Sequence, residues 1–154
     1  MTIWDTPMRA ALAEAADAAE AGDMPVGAVV LAPGDGGAST IIACAGNRRE
    51  RDHDPLAHAE MLALRAAAEV TGSWRLDDCT IVVTLEPCAM CAGAIAQARL
   101  ARVVFGALDE KAGAVASLFD VLRDPRLPHR PQVVSGVLAN ECAEILKQFF
   151  DARR

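Results

Sequence analysis

A chain of 154 residues, 53% hydrophobic and 23% charged, has the length and composition of one folded domain and excludes a disordered or fibrous protein. It contains no apolar run near the roughly 20 residues of a membrane span and no basic start followed by an apolar stretch, so a cytoplasmic protein without membrane contact is expected. The formal net charge is −6, and residues 1 to 46 carry six acids against one base, which leaves only the nearly neutral remainder for any contact with a polyanion.

Alanines and leucine recur at helical spacing around Glu14, Asp17 and Glu20, predicting a helix over 8–21 that Gly22 ends. VGAVVLA (26–32) and STIIACA (39–45) flank the glycine-rich APGDGG and predict an antiparallel hairpin. After the polar stretch 46–54, Pro55 suits the first position of a helix running to about Val70. A strand at 79–84, a helix from Pro87 to about Arg99 and a strand at 101–106 follow, an order that predicts a parallel crossover. A short helix near 115–122, a loop carrying Pro125, Pro128 and Pro131, a strand at 132–135 and a helix over 140–153 complete the chain. The sum is a single-domain α/β sandwich over 1–154 with a mixed sheet of about five strands.

Five cysteines without a secretory start predict no disulfide framework. Cys44, Cys79 and Cys142 fall in or beside predicted elements and are expected to be buried as small apolar residues. The informative pair is Pro87-Cys88-Ala89-Met90-Cys91: two cysteines three apart at a helix start point the same way and can share one metal, and the partial positive charge of a helix N-terminus favours their thiolates. Alone, this pair also fits a thioredoxin-like redox couple, half of a structural zinc site, or two buried small residues.

The second motif is His58-Ala59-Glu60 just after Asp54-Pro55. Residues two apart do not share a helix face, so His58 and Glu60 act together only at a helix end that opens into a cleft. His58, Cys88 and Cys91 make three ligands, one short of tetrahedral, as in a catalytic zinc site with a position open to water. Glu60 is then free to carry protons. His53 is expected to order the loop beside the site, and His129 has no metal spacing.

The H-x-E and P-C-x-x-C pair is the established signature of zinc deaminases. Together with MPVGAVV (24–30), GNRRERDHDPLAHAEMLALR (46–65), VTLEPCAMCAGAI (83–95), RVVFGALDEKAGA (102–114) and GVLANECAEILKQFF (136–150), the chain resembles the bacterial tRNA-specific adenosine deaminases of the cytidine deaminase superfamily along essentially its whole length. The resemblance implies a three-layer α/β/α cytidine-deaminase-like fold with a mixed five-stranded sheet, one Zn²⁺ per subunit and a homodimer. It also implies a tRNA anticodon stem-loop as partner, with hydrolysis of the wobble adenosine of an arginine tRNA to inosine. By the same resemblance Asn47 hydrogen-bonds the base, Val29 lies near its face, the Ala59 amide and Glu60 meet its edge, and Asp109 and Lys111 stand by the substrate loop.

Arg48 and Arg49 beside the site loop, with Arg153 late in the chain, are expected phosphate contacts. Phe149 and Phe150 are candidates for stacking on loop bases, one of them being expected in the core instead. Leu108, where many relatives carry a base, and the end at Arg154 lower the expected RNA electrostatics. Two other readings use the same residues: a free guanine or cytosine deaminase, and a zinc-stabilised binding module, which leaves Glu60 without a task.

Overall fold

The computed structural model describes residues 1–154. The hairpin forms where its alternation places it, as β1 (Gly27–Pro33) and β2 (Ser39–Gly46). β1 also pairs antiparallel with β3 (Thr80–Leu85), which runs parallel to β4 (Arg102–Ala107), and β4 runs parallel to β5 (Gln132–Val134). The sheet is therefore mixed, in the order β2-β1-β3-β4-β5. β3 is central and covered on both faces, which explains why all six of its residues are buried.

Helices α1 (Asp5–Glu20) and α4 (Ala139–Asp151) touch each other on one face of the sheet, and α2 (Ala59–Thr71) and α3 (Ala89–Gln97) touch on the other, giving three layers. α1 lies close because its buried face is made of Ala11, Ala15 and Ala18 and because β1 opens with Gly27, where a Cβ would collide with the Ala11 carbonyl. One apolar cluster of 30 buried residues, with Phe105 and Met8 among the largest, fills the spaces between layers. No helix is long and apolar enough to cross a membrane.

Four expectations are corrected. Pro55 does not open a helix: Asp54 Oδ1 accepts the Leu56 N–H at 2.9 Å and the Asp54 carbonyl accepts the Ala57 N–H at 3.1 Å, so residues 54–57 form an Asx turn, and α2 begins only at Ala59. Likewise α3 begins at Ala89, after Pro87. The helix near 115–122 is absent, because the amides of residues 115–117 are taken by a side chain, Glu86, rather than by carbonyls four residues back. Cys44 is exposed on β2, while Cys79 and Cys142 are buried as expected.

Candidate active site

His58 and Cys88 are the capping residues of α2 and α3, both in extended conformation (φ −71°, ψ 151° and φ −75°, ψ 178°) and neither making a side-chain cap hydrogen bond. Ser, Thr, Asp or Asn would satisfy the free amides there; this chain instead aims an imidazole and a thiol away from their own helices and towards each other. Cys91, one turn into α3, is fully buried. His58 Nδ1 lies 3.7 Å from Cys88 Sγ and 3.5 Å from Cys91 Sγ, and the three donor atoms lie within 4.8 Å of one another. Tetrahedral zinc, with Zn–N near 2.0–2.1 Å and Zn–S near 2.3 Å, separates such donors by roughly 3.5 Å, so the donor set fits a zinc ion.

The electrostatics point the same way. The Cys91 thiol donating to Cys88, helped by His58, holds the Cys88 thiol down at about 3, whereas sharing with Cys88 and burial push Cys91 well up. His58 is raised chiefly by its bond to Cys88. The cluster thus holds a thiolate that shares protons with its neighbours, the places a bound cation would take over.

These groups open into a cavity of about 180 Å³ whose floor carries His58, Cys88 and Glu60. Glu60 is 4% exposed, and burial raises its carboxyl to about 6. The lining also includes Asn47 and Arg49 from the loop after β2, Glu86 after β3, Asp109 and Ala112 after β4, and the apolar Met24, Val26 and Leu85. Asn47 donates its own N–H to the Val26 carbonyl at 3.0 Å, and its Oδ1 accepts the Arg49 N–H at 3.0 Å, leaving the Nδ2 amide as its free donor. The loop that carries them is anchored by the fully buried Asp23, whose carboxylate accepts the N–H groups of Glu50 (2.7 Å) and Arg51 (3.3 Å).

The structure thus brings His58, Glu60, Cys88, Asn47, Ala59, Asp109 and Arg49 to one cavity, with Cys91 beneath it. Val29 is not among them. Gly27 faces α1, so Val29, two residues along the strand, faces α1 as well and is fully buried; Val26, on the other side of the alternation, lines the cavity in its place. Arg48 lies elsewhere, beside Glu14 and Asp17 of α1, with its guanidinium bound to Asp52 at 2.8 and 2.9 Å. Lys111 and Phe150 line an adjoining groove with Leu108 and Leu146. Neither Phe149 nor Phe150 belongs to the core: they pack edge to face, and the Arg153 guanidinium covers Phe149 at 3.5 Å. His53 is exposed at φ 50°, and the His129 Nε2 contacts the Leu100 carbonyl at 2.6 Å.

Sequence reasoning missed Met24, Val26, Leu85, Ala112, Asp23 and Glu86. For Glu86 a signal existed: an acid directly after TIVVTL, the largely β-branched run of β3. Its carboxylate accepts five hydrogen bonds from residues 109–117. Burial alone would raise its pKa, but those bonds, Ser117 first among them, outweigh burial and hold it below the usual carboxylate range.

A mixed sheet with a metal-type cluster at two helix starts defines a deaminase of the cytidine-deaminase-like class, and the profile of the MafB19-like deaminases matches residues 3–154. The chain is 45% identical over 150 residues to the tRNA-specific adenosine deaminase of Bacillus subtilis, covering 97% of this chain and 90% of that one. A solved tRNA:A34 deaminase, studied for A-to-I editing at the wobble position of transfer RNA, superposes with a TM-score of 0.85 at 44% identity, over 92% of this chain and 99% of that one. The guanine deaminase of Bacillus subtilis also superposes, with a TM-score of 0.63 and 32% identity over 99% and 94% of the two chains. The protein belongs to the family of tRNA-specific adenosine deaminases.

Proposed function

We propose that this protein hydrolyses the wobble adenosine of a tRNA anticodon loop, with an arginine tRNA as substrate, to inosine and ammonia. The observation that carries the chemistry is the convergence of His58 Nδ1, Cys88 Sγ and Cys91 Sγ on one point of a cavity that also holds the buried Glu60. The whole-length relationship to tRNA-specific adenosine deaminases carries the choice of substrate.

The two cysteines and the histidine would hold Zn²⁺, which supplies Lewis acidity that makes a water molecule acidic near neutral pH. Glu60 does the proton work. With its carboxyl raised to about 6 by burial, it accepts a proton from the attacking water and returns it to N1 of the purine, and it protonates the departing amine. Asn47 Nδ2 donates to the base, the amide of Ala59 meets its edge, and Met24, Val26 and Leu85 exclude water around the ring. Atoms balance: adenosine and water give inosine and ammonia.

Around the cavity, Arg49 contacts a phosphate, and Asp109 and Lys111 border the loop nucleotides. Phe150, 48% exposed in the adjoining groove, offers a stacking face for an unpaired base. The protein acts as a homodimer in the cytoplasm, where the tRNA is. The apolar groove between α2 and α3, bounded by Met61, Leu64 and the exposed Trp74, supports a second copy there.

The deciding experiment measures ammonia and inosine from an anticodon stem-loop, free adenosine and free guanine with the zinc-loaded enzyme. Turnover confined to the stem-loop supports the reading. Turnover of guanine alone replaces it with a free-base deaminase, and no turnover of any leaves a binding module.

A further inference from the structure

We infer that Glu86 is the positioning residue for the Asp109 wall of the cavity: its carboxylate, rather than regular backbone pairing, sets where Asp109 and Ala112 stand relative to the metal-type cluster. Glu86 directly follows β3, is 2% exposed, and stands two residues before Cys88. Oε1 accepts the Asp109 N–H at 3.0 Å and the Ser117 hydroxyl at 2.5 Å. Oε2 accepts the N–H groups of Val115 (3.1 Å), Ala116 (2.8 Å) and Ser117 (2.8 Å). A carboxylate offers about four acceptor sites, so five donors saturate it. Although Glu86 borders the cavity, no lone pair is left to act on a substrate, which separates its role from that of Glu60.

Most other hydrogen bonds of the segment it holds are internal, such as the Gly113 N–H on the Asp109 carbonyl (2.8 Å) and the Lys111 and Ala112 N–H groups on Asp109 Oδ1 (3.1 and 3.2 Å). Residues 108–119 contain turns and a single bridge, Cys88 with Gly113, reinforced by the Ala114 N–H on the Pro87 carbonyl at 2.9 Å. Gly113 is the residue that lets the carboxylate in, since a Cβ there would collide with it. One side chain therefore ties the start of α3, where Cys88 caps the helix, to the segment that brings Asp109 and Ala112 to the cavity. Asp23 does the same for the loop carrying Asn47 and Arg49 through the amides of Glu50 and Arg51, so each of these two loops is held by a buried carboxylate.

The activity arm of the test rests on the proposed reading of the cavity as an adenosine site; the exchange arm does not. Glu86→Gln keeps one oxygen, which the three amides of residues 115–117 retain, and turns an amide NH₂ towards the Asp109 N–H, which loses its acceptor. In the zinc-loaded protein, hydrogen exchange at the Asp109 amide should speed up about tenfold or more while residues 115–117 stay protected. KM for the stem-loop should rise about tenfold or more with kcat within about threefold, because placement of the RNA is lost and the proton chemistry is not. Zinc content should be unchanged. Gly113→Ala, which displaces both oxygens of the same carboxylate, should speed exchange at Asp109 and at residues 115–117 alike, with the same rise in KM, and stands in if Glu86→Gln does not fold. Unchanged Asp109 exchange with unchanged KM in these variants overturns the inference, as does activity that falls only in proportion to lost zinc. If the wild-type enzyme left the stem-loop untouched, the substrate reading would fail while the exchange data still decided the role of Glu86.

Discussion

Cys91 Sγ lies 3.5 Å from His58 Nδ1, although 33 residues of chain and a sheet strand separate them. The contact exists because α2 and α3 pack side by side on the same face and start at the same end of the sheet. Each helix therefore delivers its first turn, amides and positive pole included, to a common point.

That convergence predicts one bound zinc per chain by metal analysis, and Cys91→Ser should lose nearly all of it. Chelation should lower the melting temperature by about 5 °C or more, because the ion joins two helix starts that have no side-chain caps of their own. A wild-type protein purified free of metal, or one indifferent to chelator, contradicts this.

In the metal-stripped protein Cys88, half-buried and held at about 3 by Cys91 and His58, should be the cysteine alkylated first by iodoacetamide at pH 6. Exposed Cys44, raised by its bond to Glu14, should react more slowly, and zinc should protect Cys88. Peptide mapping by mass spectrometry reads out both.

Glu60→Gln should lower kcat by about 10²–10⁴-fold while keeping zinc. It should also stabilise the metal-free protein at neutral pH. A carboxyl raised from 4.5 to about 6 by burial binds more protons folded than unfolded, so the wild type loses stability as pH rises through that interval. Above it the loss levels off at about 2 kcal/mol. Denaturation curves of the two proteins should coincide below about pH 4.5 and separate above pH 6; separation in the opposite direction would disprove the assignment.

Arg49, at the cavity, and Arg48, engaged with Asp52 on the α1 side, should behave differently despite being neighbours. Arg49→Glu should weaken stem-loop binding about tenfold and reduce the salt slope by about one, whereas Arg48→Glu should leave the slope nearly unchanged. Fluorescence anisotropy across a salt series distinguishes them, and equal effects would show that neither position samples the RNA selectively.

The strands, their antiparallel and parallel senses, and the helix carrying Cys88 and Cys91 were legible because alternation and a short metal motif are local signals. Val29 was placed near the base by resemblance alone, and the structure puts it elsewhere because strand alternation sets it on the same face as Gly27, which packs against α1. Pro55 misled because the Asx turn at Asp54 uses the same residues a helix start would use. The loop 109–117 was illegible, since a carboxylate more than twenty residues earlier in sequence organises it. Buried acids such as Asp23 and Glu86 look from the sequence like ordinary surface charges until their backbone partners are seen.

The β1–β2 turn, with its one-turn helix over Asp35–Gly37, stands at the opposite end of the hairpin from Asn47 and Val26, roughly 20 Å along the strands. Its glycines Gly36 and Gly37 have no neighbour within 4 Å of where a side chain would begin, so added chain there meets open solvent. A fluorophore or surface-attachment peptide placed between them would hold the enzyme with its catalytic end facing outward, ready for single-molecule observation of RNA arriving and leaving.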